Sequence, residues 1–121
     1  MLRDVLPLIV EGIKLQFNQP TSMRFSDTYR FEEEGFIKYT GYALYEVVGA
    51  YLQDNKIIVL VNIYKFSCTE FIAEYAMDSF VKKIKSEIIK RIPEAEGNNI
   101  EIYPIKKFLN NDIERQPKGD C

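Results

Sequence analysis

Four groups of residues in this 121-residue chain have side chains that could do chemistry: Cys68, the consecutive carboxylates Glu32, Glu33 and Glu34, the cations from Lys82 to Arg91, and a set of tyrosines on two neighbouring apolar segments. Cys68 falls where a helix is expected to begin, and a helix N-terminus lowers a thiol pKa. The chain has no histidine to serve as its partner base, so a small, half-buried first-turn residue is the preferred reading. The same absence removes the commonest general base, the commonest zinc ligand and every histidine-based triad. An enzyme built on tyrosine, lysine and carboxylates is therefore a minority expectation, and no catalytic residue is assigned.

Glu32 to Glu34 could offer oxygens to a hard cation, but they precede Gly35 without the aspartate spacing of a calcium loop, and a solvated turn accounts for them. No metal or cofactor is expected. Lys82, Lys83, Lys85, Lys90 and Arg91, with Lys106 and Lys107, could meet phosphates. Glu87 interrupts the run, and cations late in a helix are expected from its dipole alone. With a formal net charge of -2 there is no broad field to attract a polyanion, so nucleic acid is not an expected partner. Neither a G-x-G-x-x-G fingerprint nor a phosphate loop ending in Gly-Lys-Ser or Gly-Lys-Thr occurs.

The longest apolar run, Ile57 to Val61, is far short of the ~20 residues that span a bilayer. Val5 to Val10 is flanked by Asp4 and Glu11, with no cleavage site following, so neither a membrane span nor a secretory leader is expected and the cytoplasm is the default compartment. Two cysteines, Cys68 and Cys121, make no disulfide framework. A composition 46% hydrophobic and 28% charged is that of a folded domain. One domain over 1–109 is expected, followed by a polar tail over 110–121.

The elements that must position these groups follow from periodicity. Val5, Ile9, Ile13 and Phe17, with Leu2 and Leu6, recur at helical spacing; Asp4 can cap this helix, Pro7 falls in its opening turn, and it should end near Asn18. Met23, Phe25, Tyr29 and Phe31 alternate with Arg24, Ser26, Thr28 and Arg30, as in a half-buried strand. Phe36 to Leu52 is a second strand, with a bulge or bend expected at Gly41. Asp54-Asn55 supplies a tight hairpin turn into a third strand.

That turn predicts a register in which Leu52, Ala50, Val48 and Glu46 face Ile57, Val59, Val61 and Ile63 on an aliphatic side. Tyr51, Gly49, Val47, Tyr45 and Ala43 then face Ile58, Leu60, Asn62, Tyr64 and Phe66 on the other. Glu46 is anomalous on the aliphatic side unless it reaches solvent past its neighbours.

Ser67 and Glu70 form a capping pair for a helix over Phe71 to Ile92, whose stripe Ile72, Ala76, Phe80, Ile84, Ile88 and Ile92 is flanked by Met77, Val81 and Ile89. Pro93 ends it, and Ile100 to Tyr103 is a short edge strand before Pro104.

The expected fold is α+β and two-layered, in the order helix-β-β-β-helix-β, with both helices on one face of an antiparallel twisted sheet. The opposite face would leave Tyr45, Val47, Tyr51, Ile58, Leu60, Asn62, Tyr64 and Phe66 as an interface or ligand-binding surface. The expected function is a non-catalytic interaction or assembly domain that forms a homodimer through that face. The alternative is a small-molecule binder whose tyrosines line a pocket for an apolar ligand, oriented by Asn62. Closure of the face by the chain itself, through the first strand, the segment around Phe108 and Leu109 or a curled sheet, is the competing expectation.

Overall fold

The computed structural model describes residues 2–30, 35–68 and 73–105, with side chains from residue 5 onward. Helix α1 (Leu2–Gln16) leads into strands β1 (Thr21–Arg30), β2 (Phe36–Gln53) and β3 (Lys56–Ser67). Helix α2 (Ala73–Arg91), a single 3-10 turn over Pro93–Ala95 and strand β4 (Ile100–Ile105) complete the order. Glu32 to Glu34, the proposed Glu70 cap, Lys106 to Leu109, the polar tail and Cys121 lie outside the described residues.

The fold is α+β with one four-stranded sheet ordered β1-β2-β3-β4. The first three strands are antiparallel, as expected, whereas β4 joins β3 in parallel, making the sheet mixed. The cause is connectivity. α2 carries the chain back along β3, so β4 starts beside the start of β3, with Ile57 opposite Ile100, the crossover that a parallel pair requires. The N–H of Ile57 donates to the carbonyl of Asn99 at 2.8 Å, which fixes this entry. β4 lies at the sheet edge, where Pro104 is tolerable.

Both helices pack on one face. The α1 stripe Leu6, Ile9, Val10, Ile13 and Phe17 joins Ala76, Phe80, Ile84 and Ile88 of α2 in a single buried cluster. Phe80 is the hub. Its ring lies 5.8 Å from Phe25, 5.6 Å from Tyr45 and 5.6 Å from Phe66, each from a different strand.

The Asp54-Asn55 turn forms as expected, with φ of 51° and 66°, and the pairs nearest it hold: Leu52 with Ile57, Tyr51 with Ile58, Ala50 with Val59, Gly49 with Leu60. Beyond them, two register shifts overturn the predicted alternation. The first, between Val47 and Gly49, inserts Val48 as an extra residue in β2; the second, between Leu44 and Tyr45, inserts Tyr64 as an extra residue in β3. Between the bulges, Val47 opposes Val61, Glu46 opposes Asn62 and Tyr45 opposes Ile63. Past the second, Ala43 again opposes Phe66.

The reason is the anomaly noted at Glu46. An unbroken register buries its carboxylate under the helices, which costs several kcal/mol unless it is paired. One inserted residue turns Glu46 out and brings Tyr45 and Val47 in. The second insertion does the same for β3, keeping Lys65 exposed and seating Phe66 in the core. Gly41 is not a bulge. It pairs in register with Phe25, whose ring lies over the position a Cβ would take.

Candidate functional site

The face of the sheet turned away from the helices is built from alternate residues of all four strands. At one end, β2, β3 and β4 contribute Tyr51, Ile58 and Glu101, then Gly49, Leu60 and Tyr103, then Glu46, Asn62 and Ile105. Val48 and Tyr64 project from the two bulges. Toward the other end, β1 and β2 contribute Arg24 with Tyr42, Thr28 with Lys38, and Arg30 with Phe36. Arg24 lies 5.7 Å above the Tyr42 ring and Arg30 lies 5.9 Å above Phe36.

Of the eight residues expected on this face, five lie on it: Tyr51, Ile58, Leu60, Asn62 and Tyr64. Tyr45, Val47 and Phe66 do not. The bulges place all three in the helix-covered core, which corrects their assignment as surface candidates. In exchange, Val48 and Glu46 move onto the face, joined by Tyr103 from β4. Val48 is 51% exposed, Tyr51 46%, Tyr64 41% and Tyr103 48%. Ile58 is only 1% exposed although no helix among the described residues covers this side; it sits in register between Tyr51 and Glu101, so the neighbouring rows shield it.

The carboxylates here are already partnered. The Tyr64 hydroxyl donates to Glu46 Oε1 at 2.5 Å, and the Tyr103 hydroxyl donates to Glu101 Oε1 at 2.6 Å. Lys56 Nζ bonds Glu101 Oε2 at 3.2 Å. Accepting these bonds holds the Glu101 carboxyl below its usual range, with Tyr103 the larger cause. The same bonds raise both phenols, since each must lose its proton beside an anion. A phenol locked to a carboxylate offers a rigid apolar ring with its polar tip satisfied, an arrangement suited to contact rather than to proton transfer.

A second polar cluster ties α2 to the edge of the sheet. Ser79 donates to Asp27 Oδ2 at 2.5 Å and accepts from the Tyr39 hydroxyl at 2.9 Å. The Thr28 N–H donates to Asp27 Oδ1 at 2.8 Å, and the Tyr75 hydroxyl donates to the Thr28 carbonyl at 2.8 Å. Ser79 foremost, then the Thr28 amide, lowers the Asp27 pKa. A hydroxyl bonded to a carboxylate whose proton affinity is depressed is a weak nucleophile's environment, so this cluster fastens the helix rather than activating Ser79. Cys68, expected half-buried in a first helical turn, is fully buried and lies between β3 and the described start of α2. Among the described residues no group of three or more acidic or cysteine side chains is placed to hold a metal ion, and no helix is long and apolar enough to cross a membrane.

Neither a protein-family model, nor a curated protein, nor a solved structure matches this chain.

Sequence reasoning missed Val48, Tyr103 and the Asp27-Ser79 cluster. Glu46 was the signal for Val48, because a carboxylate in an aliphatic row implies a register change. The α2 cluster was signalled by polar residues every fourth position, Tyr75, Ser79, Lys83, Glu87 and Arg91, a second stripe beside the apolar one.

Proposed function

We propose that the chain is a non-catalytic assembly domain that pairs with a second copy of itself through the outer face of its sheet. The observation that carries this reading is the set of exposed rings, Tyr51, Tyr64 and Tyr103, with Val48 and Leu60, on a face that neither helix covers. Exposed apolar area of this kind marks contact surfaces, and tyrosines with few rotatable bonds lose little entropy on docking.

Charge placement supports a second copy as the occupant. Glu46 and Glu101, the latter paired with Lys56, lie at the tyrosine-rich end and leave it one net negative charge, while Arg24, Arg30 and Lys38 lie toward the opposite end of the same face. A two-fold stack with the sheets running in opposite senses sets the basic end of one copy over the acidic end of the other, the self-complementarity that an isologous interface needs. The size is adequate as well. Four strands spaced ~4.8 Å apart and some ten residues long present roughly 600 Å² in projection, which side-chain relief brings near the ~800 Å² per partner of a standard interface.

Sedimentation velocity across a hundredfold dilution tests this. The expected species has twice the 14.2 kDa chain mass and dissociates on dilution. Val48→Arg, at an exposed bulge position, should give a folded monomer. A wild-type chain that remains monomeric at every concentration refutes the reading. If the monomer's tyrosine fluorescence instead responds saturably to an apolar probe, the small-ligand alternative takes its place.

A further inference from the structure

We propose that the first half of β1, from Ser22 to Ser26, is a docking edge for an extended acidic peptide segment, which adds to the sheet as a fifth strand beside α2. This surface is separate from the outer sheet face, and the inference stands whether or not that face dimerises.

The backbone makes one half of the edge available and closes the other. β1 is an edge strand in regular register with β2. In an antiparallel ladder successive residues turn their N–H and C=O toward and away from the partner strand in alternation. Thr28 is turned away from β2, because its N–H goes to Asp27 and its C=O to Tyr75. Val47, in β2 just past the end of β1, has its N–H on the β1 side, where it donates to Phe17 at 3.0 Å. Both observations assign the odd residues of β1 to the ladder and the even residues to the outside. Ser22, Arg24 and Ser26 therefore present main-chain groups outward, while the equivalent groups of Thr28 are capped.

Helix α2 draws the same division. Its stripe of every fourth residue runs along this edge. Tyr75 and Ser79 close it at Thr28 and Asp27. Further along, Lys83, Glu87 and Arg91 stand back from Thr21, Ser22, Met23 and Arg24 and, with Tyr45, line an open groove of about 220 Å³. Two cationic side chains, Lys83 and Arg91, and one carboxylate, Glu87, border the groove from α2; Arg24 borders it from β1, but its guanidinium lies over the Tyr42 ring on the outer face. Arg91 is held in place by the Phe17 ring at 4.7 Å and by Glu87 at 3.9 Å. A strand laid on Ser22 to Ser26 turns every second side chain toward the row Lys83, Glu87 and Arg91, whose spacing of about 6 Å matches two strand residues, so two carboxylates flanking an uncharged position opposite Glu87 are what the groove fits. Charge complementarity selects the acidic partner; the open main-chain groups select an extended one.

The test is fluorescence polarisation of a labelled valine-rich decapeptide carrying glutamate, glutamine and glutamate at three successive alternate positions, with the counterpart in which lysine replaces both glutamates as control. The acidic peptide should bind and the basic one should not. Lys83→Glu should weaken binding by about tenfold or more, while Lys14→Glu, on the exposed side of α1, leaves it within about twofold. N-methylation of alternate peptide amides distinguishes strand addition from charge attraction: methylating one register should abolish binding and methylating the other should preserve it. Equal binding of both peptides, retention of binding by both methylated forms, or full competition by a double-stranded DNA oligonucleotide overturns the proposal.

Discussion

Replacing Gly41 with alanine should destabilise the domain, although alanine is ordinarily the better strand residue. An interior strand glycine costs roughly 0.5–1 kcal/mol relative to alanine through chain entropy. Here that gain meets a ring. A Cβ at position 41 would sit 2.6 and 2.9 Å from two carbons of the Phe25 ring, with a third ring carbon closer still. Phe25 cannot swing aside freely, because it stacks on Phe66 at 5.8 Å and lies 5.8 Å from Phe80 in the buried core. Forcing a methyl into such packing costs about 1–3 kcal/mol, so the net effect is a loss of about 1–2 kcal/mol. With a urea m-value of about 2 kcal/mol/M, the middle of the usual range, the unfolding midpoint should fall by roughly 0.5–1 M. Phe25→Leu alone should also destabilise, but combined with Gly41→Ala it should restore part of the loss, giving a coupling of about 1 kcal/mol in a double-mutant cycle. A midpoint for Gly41→Ala equal to or above wild type, or strictly additive effects in the double variant, would refute the assignment of Gly41 as the seat of the Phe25 ring.

The Asp27-Ser79 fastening should appear as an acid-dependent stability difference. Because folding lowers the Asp27 pKa from its ordinary 3.8, its contribution is full above that value and is lost as pH falls through the lower folded value. Thermal unfolding of wild type and Asp27→Asn should therefore differ most near neutrality and converge in strong acid; a gap independent of pH would show that the carboxylate charge is immaterial. On the outer face, Glu46→Gln should bring the Tyr64 phenol down toward 10, because the neighbouring carboxylate is the main cause of its raised value. An ultraviolet alkaline titration, with Tyr64→Phe identifying the band, checks this, and an unmoved transition would mean that the Tyr64-Glu46 bond does not persist in solution.

Much of the fold was legible because it rests on period and turn chemistry. The four-residue recurrence from Ala76 to Ile92 specified the buried side of α2, and Asp54-Asn55 specified the hairpin and its nearest pairs. The bulges were not legible from alternation, since β2 and β3 each read as one uninterrupted pattern. Only the cross-strand consequence, a glutamate opposite Ile63 under a helix, betrayed the first insertion. That single residue moved Tyr45 and Val47 from the candidate surface into the core, and the second insertion did the same for Phe66. The direction of β4 was open to inference from the helix between it and β3. A short strand ending at a proline carries no directional signal of its own, and the crossover supplies it.

The parallel seat of β4 has a consequence for how the chain is made. β1, β2 and β3 can pair with one another as soon as they leave the ribosome, for their partners are neighbours in sequence. The far margin of β3, with Ile57, Ile58, Val59, Leu60 and Val61 in succession, has to wait until α2 and then Ile100 to Ile105 have been synthesised. During that interval the most aliphatic ribbon of the protein is an open template for like sequences on neighbouring nascent chains. The last described strand thus acts as a seal, and any product that stops short of it carries an adhesive margin into a crowded translation site.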